Sequence, residues 1–287
     1  LPNWDLKDLY PSPDGDEITK DLKSLQNNCN SFASDYQGQL DGLTAEGLLN
    51  CIERYEDIQN VAGRIMSYAG LSYYQDTSDA NRSKFMADMQ SKITDFTTPL
   101  VFFSLEINSI SDDHIHSLLN SNLKLSRYKP VIDNLRKMKP HQLSDELEQF
   151  LHDQSVVGAA AWNRLFDETM ASLQFNVDDE VLNLEATLNL LSDTNREIRE
   201  KGTRALITVF RENISLFSRI TNTLAKDKEV EDRWRKMPTP QFSRHLANQV
   251  EPEVVNGWAA TSTAPSSRRR STSKARSSGV ASSSHAS

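Results

Sequence analysis

A mainly α-helical fold, built of long antiparallel helices with one small β-hairpin, is what this sequence predicts. Three observations predict it. Apolar residues recur at spacings of three and four over most of the chain, capping residues stand ahead of the helical stretches, and one short segment switches to a period of two around a central turn. At 287 residues and 37% hydrophobic content, the chain is long enough to bury a core of domain size.

Residues 1–15 carry Trp4, Leu6, Leu9 and Tyr10 ahead of Pro11-Ser12-Pro13-Asp14-Gly15, which predicts an extended arm with aromatics to dock, closed by a turn. From Asp16, the positions Ile18, Leu22, Leu25, Cys29, Phe32 and Tyr36 form one stripe of a helix that Gly38 ends. A second helix is expected from Thr44 to Ala69, through Leu48, Ile52, Tyr55, Ile58, Ala62 and Ile65. Ser78-Asp79 caps its antiparallel partner, whose stripe of Phe85, Met89, Ile93, Phe96 and Leu100 is interrupted by Pro99 before Val101-Phe102-Phe103. Shorter helices follow at Ser111 to Asn120, where Asp112 and Asp113 sit at the positive end of the helix dipole, and at Ser144 to Gln154. Tyr128-Lys129-Pro130 and Lys139-Pro140 read as punctuation between them.

The segment from Val156 to Ala171 is small and apolar around Ala159-Ala160-Ala161-Trp162, which predicts close helix packing. Leu173 to Val177 then alternates with a period of two and is joined through Asp178-Asp179 to Val181–Leu184, a hairpin pattern. The last long helix opens at Thr194-Asn195-Arg196-Glu197 with the capping-box spacing and runs through Leu224. A charged stretch, 226–236, follows and stops at Pro238 and Pro240. No repeat of fixed period is present.

Residues 1–255 read as one helical region, and the composition changes at 256. From Gly257 onward Ser, Thr and Ala dominate, with Arg268, Arg269, Arg270, Lys274 and Arg276 and no acid. Subtracting that +5 from the overall charge of −8 leaves −13 for the body. An acidic body disfavours nucleic acid as a partner, and the arginine cluster lacks the interleaved aromatics of a strand-binding surface. Segment 256–287 is expected to be disordered, whether it is a genuine tail or an out-of-frame product.

With no run of about 18 apolar residues and no basic-then-apolar leader, neither a membrane span nor a secretory signal is expected, and the cytoplasm is the simplest compartment. The first residue is Leu1 rather than Met, so the missing leader is weak evidence. Cys29 and Cys51 fall at apolar helix positions and are expected to be buried thiols, not a disulfide or a metal pair.

Motifs for chemistry are sparse. H-E-x-x-H, G-x-S-x-G, C-x-x-C and a glycine-rich phosphate loop are all absent from the sequence. His114 and His116 are two residues apart and face different sides of their helix. Glu148 and His152 share a face one turn apart, the spacing of an ordinary exposed helix pair. No catalytic residue and no metal ligand follows from these patterns. Arg244, His245 and Asn248 come after the Pro-punctuated loop and before Glu251-Pro252-Glu253, and are the candidate substrate-cleft residues. The competing reading is that they satisfy loop carbonyls and cap a helix.

Several stretches together carry a family likeness: Leu1-Pro2-Asn3-Trp4-Asp5-Leu6 with Leu9-Tyr10-Pro11, the hairpin Leu173 to Leu184, Arg199-Glu200-Lys201-Gly202-Thr203-Arg204-Ala205, Asn222 to Lys228, and Arg244 to Pro252. In that order, over about residues 1–255, the chain resembles the N-terminal portion of oligoendopeptidase F, among the thimet-oligopeptidase-like zinc metallopeptidases. The resemblance implies a helical, clam-like peptidase acting on short oligopeptides in a deep channel. It also implies zinc held by two His of H-E-x-x-H and a later Glu, with the motif's own Glu activating the water, all in a C-terminal half that this sequence does not contain.

On that reading the chain is a truncated oligoendopeptidase F, inactive by itself, without bound zinc. Apolar surface meant for the other half would then invite self-association. The alternative is a non-catalytic helical binding protein whose basic tail contacts nucleic acid or another acidic surface.

Overall fold

The computed structural model describes residues 4–262. Two units divide the chain, Leu1–Met237 and Pro238–Ser287.

In the first unit, the arm of residues 6–10 closes into a turn in which the Leu9 and Tyr10 amides both donate to the Leu6 carbonyl. Tyr10 is buried, and its hydroxyl donates to Asp21 at 2.7 Å and accepts from Arg64 Nε at 3.0 Å. Trp4, expected to dock, is half exposed instead; its carbonyl accepts from Gln75 Nε2, so the arm is tied there through backbone.

Helix α1 (Asp16–Tyr36) buries Ile18, Leu25, Cys29 and Phe32, four members of the predicted stripe. Gly38, with φ at 78°, takes the left-handed turn that ends it. Helix α2 (Ala45–Gln75) is capped by the Thr44 hydroxyl, which accepts from the Gly47 amide, and it runs six residues beyond the expected end at Ala69. Gly70 fails to stop it because nothing there needs a positive φ, and the next turn buries Tyr73. Asp79 caps helix α3 (Ala80–Thr97), accepting from the amides of Asn81 and Arg82.

Pro99 interrupts the pattern as expected. A 3₁₀ turn at Thr98–Leu100 leads into helix α4 (Phe102–Ser109), whose Phe102 and Phe103 meet Phe32 at ring distances of 5.8 and 6.0 Å. Tyr55 stacks on Phe103 at 4.1 Å, so α1, α2 and α4 share one aromatic centre. From α4, Glu106 reaches back to the loop after α1: one carboxylate oxygen accepts from the Gly38 amide at 2.6 Å and the other from the Leu40 amide at 3.2 Å.

Helix α5 (Asp112–Ser121) is capped by Ser111. Helix α6 (Lys129–Arg136) corrects the reading of Tyr128-Lys129-Pro130 as mere punctuation. Proline sits in its first turn, where a missing N–H costs nothing. Arg136 is anchored by donating to the Ile110 carbonyl at 2.7 Å and to that of Ile107 at 2.5 Å.

Helix α7 (Asp145–Gln154) and helix α8 (Ala159–Ser172) lead to the hairpin of β1 (Phe175–Val177) and β2 (Glu180–Leu182). Its register pairs Phe175 with Leu182 and Val177 with Glu180, and Asp178 takes φ 53° in the turn, a conformation Asp tolerates. Helix α9 (Leu184–Leu190), capped by Asn183, was not expected from the sequence, where Leu184 reads as strand.

The expected long helix from Thr194 is two: α10 (Arg196–Glu212) and α11 (Ile214–Trp234). The division falls at Asn213, whose side-chain amide donates to the Val209 carbonyl at 2.9 Å and so competes with the helical ladder. The cap is Asn195 rather than Thr194, its Oδ1 accepting from the Glu197 amide. α11 also absorbs most of the charged stretch 226–236 into helix. Gly202 on α10 is buried because α9 crosses it closely: a Cβ there would meet Leu190 Cβ at 3.0 Å.

Two cores result, a large one spanning Tyr10 to Ile132 and a smaller one around Leu173, Phe175, Ala205 and Leu206. Cys29 and Cys51 lie in the large core as free thiols, as expected.

In the second unit, helix α12 (Phe242–Ala247) is followed by helix α13 (Pro252–Ser262). Pro252 occupies the first position of α13, and helical backbone continues through Asn256, where the composition-based division at 255/256 had been drawn. The rest of the expected disordered tail, 263–287, lies outside the described residues.

Candidate functional site

A cleft of about 1810 Å³ opens within the first unit, lined by α2, α3, α4, α7, α8 and α11. Its longest wall is α11. Ser215, Ser218, Arg219, Asn222, Thr223, Lys226, Asp227, Val230, Glu231, Trp234 and Arg235 line the cleft at alternating spacings of three and one, the mark of a single face of one helix. Twenty residues of helical rise make that wall about 30 Å long.

Facing it, α2 contributes Tyr55, Gln59 and Met66, α3 contributes Ile93 and Thr97, and α7 contributes Leu147, Glu148, Phe150, Leu151 and His152. Phe150 and Trp234 remain 58% and 56% exposed, so within the described residues of this unit the cleft carries large apolar side chains left open.

Glu148 and His152, which the sequence presents as an exposed pair, have separate partners here. Glu148 is joined to Arg235 by two bonds, at 2.6 and 2.9 Å, and also accepts from the Leu143 amide at 2.9 Å. Both side chains of this pair are nearly buried, at 11% and 14% exposure. Burial pushes the Glu148 carboxyl up, but the bonds from Arg235 and the Leu143 amide outweigh it, and its pKa lies below the usual carboxylate value. Arg235 is held further by Glu231 at 2.6 Å, and its carbonyl meets His141 Nδ1 at 2.9 Å. The pair therefore clamps the end of α11 to α7.

His152 Nε2 lies 3.1 Å from the Thr97 hydroxyl. That hydroxyl also has the Ile93 and Thr94 carbonyls at 2.8 and 3.3 Å to donate to, which suits the tautomer in which Nε2 carries the hydrogen and the hydroxyl accepts it. Bonded in this way to carbonyls of its own helix, Thr97 reads as a structural hydroxyl rather than a nucleophile. Nor are the thiols: burial raises Cys29 to about 11 and Cys51 to about 12, far from thiolate at neutral pH.

His114 binds the Asp41 carbonyl at 3.1 Å, and His116 is exposed on the same helix; they share no site. Among the described residues, no three His, Cys, Asp or Glu side chains gather to hold a metal ion. The donor set that zinc requires is thus not met by these residues.

Arg244, His245 and Asn248 stand together in the second unit. Arg244 and His245 belong to α12, Asn248 is its C-cap, and the Asn248 amide donates to the Arg244 carbonyl at 2.9 Å. Arg244 and Asn248 are exposed and His245 is half-buried. Within the first unit, the cleft is lined above all by the polar face of α11. That face was open to detection. Polar residues at 215, 218, 219, 222, 223, 226 and 227 keep helical spacing beside the apolar stripe, and reading only the apolar half hid them.

A family model described as Oligopeptidase F matches residues 106–175. Oligopeptidase PepF of Bacillus subtilis (strain 168) is 24% identical over 264 residues, covering 90% of this chain and 39% of that protein. Group B oligopeptidase PepB of Streptococcus agalactiae is 21% identical over 88% of this chain and 42% of its own length. The chain thus spans about two fifths of the curated relatives it matches. In fold it is similar to the crystal structure of oligoendopeptidase-F from Enterococcus faecium, with a TM-score of 0.72 at 23% identity over 84% of this chain and 48% of that one.

Proposed function

We propose that this chain, which belongs to the oligoendopeptidase F family as its N-terminal portion, supplies a peptide-holding wall of a zinc oligopeptidase and does not cleave peptides by itself. The observation that carries the reading is the cleft along α11, an apolar trough about 30 Å long with a polar helix face as one side. At about 3.3 Å per residue, such a wall spans eight or nine residues of extended peptide.

Its charges are mixed. Arg219, Lys226 and Arg235 stand against Glu148, Asp227 and Glu231, which suits a zwitterionic peptide better than a polyanion such as nucleic acid. Zinc, and the base that activates water on it, would come from sequence of the complete enzyme outside these residues; this chain's part is to bind and align. The cytoplasm is the proposed compartment, and among the described residues no helix is long and apolar enough to cross a membrane.

The test is direct. The purified chain is titrated with a nonapeptide by calorimetry, assayed for zinc, and incubated with the same peptide under mass-spectrometric readout. Binding without cleavage and without stoichiometric zinc is the expected result. Cleavage accompanied by one zinc per chain would overturn the division of labour, and absence of binding would overturn the cleft reading.

A further inference from the structure

Six charged side chains line the cleft on α7 and α11, and four of them are already committed. Glu148 and Glu231 hold Arg235, and Lys226 pairs with Glu229. Among the described residues, Arg219 and Asp227 have no ion pair. They stand eight residues apart on the same face of α11, about 12 Å by helical rise, too far to neutralise each other.

Arg219 lies near one end of the lined face, with only Ser218 and Ser215 before it. Ser215, Asn222 and Thr223 sit one helical turn to either side and also line the cleft. A guanidinium offers paired N–H groups in the geometry of a carboxylate, and the neighbouring hydroxyls and amide can take up the oxygen lone pairs it leaves. Asp227, two turns further in, repels a carboxylate from the interior of the trough and so fixes the direction of an entering chain.

Resting on the peptide-holding role proposed above, we propose that Arg219 binds the C-terminal carboxylate of a peptide lying along α11, with the rest of the peptide running toward Trp234. The shared chemistry is a carboxylate, which an internal Glu side chain also provides. A terminal group is favoured by position, because Arg219 stands where the lined face runs out while the apolar side chains Val230 and Trp234 lie at the other end.

The experiment is a calorimetric titration of the full chain with three nonapeptides: one with a free carboxylate, the same sequence amidated, and an amidated version ending in Glu. Because Arg219 is exposed, the contact is solvated and the expected preference for the free acid over the amide is modest, about fivefold. Arg219→Gln binds acid and amide equally, at the level of the wild-type amide, and Asp227→Asn keeps the preference. Circular dichroism confirms that the exposed substitutions leave the fold intact.

Equal binding of acid and amide by the wild-type chain, or a preference that survives Arg219→Gln, overturns the assignment while leaving the peptide-holding role standing. An amidated Glu peptide that binds as well as the free acid overturns the terminal assignment in favour of a side chain. Failure of all three peptides to bind removes the peptide-holding role itself.

Discussion

Glu148 and Arg235 show what a single pair of residues contributes. Two nearly buried charges joined by two bonds cannot be separated cheaply, because removing one leaves the other desolvated and unpaired. Glu148→Gln is expected to lower stability by about 2 kcal/mol at pH 7. Since the folded-state pKa of Glu148 is depressed, its contribution is fully present above the ordinary carboxyl value of about 4.3 and is lost as pH falls through the lower folded value. Melting curves of wild type and variant should therefore stay apart from pH 8 to pH 5 and draw together progressively as pH falls below the ordinary carboxyl value. A gap that persists unchanged at pH 3 would show that shape rather than charge is responsible. None of this was legible in the sequence, where Glu148 and His152 suggest each other; their true partners lie 87 and 55 residues away. Cys29 and Cys51 were legible, because burial follows from their place on an apolar stripe.

Elements were legible where one local signal decides them. Thr44, Asp79 and Ser111 each cap the helix that their side chain and spacing announce, Pro99 breaks the pattern it stands in, and the period-two segment around Asp178 pairs as a hairpin. They were misread where two signals compete. Asn213 sits inside an unbroken apolar period, and only the bond its amide makes to Val209 divides α10 from α11. Glycine is the sharper case, since two positions that look alike differ in what surrounds them. At Gly202 a side chain would press on Leu190 and on the Thr187 carbonyl, 3.0 and 3.4 Å from the new Cβ. Gly202→Val is expected to cost about 2 kcal/mol and lower the melting temperature by roughly 4–8 °C. Nothing lies within 4 Å of the corresponding point at Gly70 in the interior of α2, so Gly70→Ala should instead add about 0.5–1 kcal/mol. Paired thermal melts check both, and a stabilised Gly202→Val would refute the close crossing of α9 and α10.

For the whole molecule, the mainly helical fold with a single small hairpin was visible in the sequence because period and caps agree over long stretches. The cleft was not, since it arises from faces of α2, α3, α7 and α11 that only folding brings together. Arg244, His245 and Asn248 are open to sequence reasoning because they cluster along the chain; the cleft-lining polar residues of α11 are spread over one side of a helix and are harder to see. The half-exposed Phe150 and Trp234 at this cleft have a cost when nothing covers them. We expect light scattering to show a mass that rises with concentration, and Phe150→Ser to suppress the rise. A concentration-independent monomer mass for the unaltered chain would contradict this.

The carboxylate of Glu106, which pins the loop after α1, also has a consequence in time. It lies 68 residues downstream of Gly38, so a growing chain has made α1, α2 and α3 before the group that holds the loop after α1 exists. At about 5–20 residues per second, the pin follows roughly 3–14 s later. During that interval the leading helices are joined by their apolar stripes alone, and the loop between them lacks the carboxylate that ties its Gly38 and Leu40 amides.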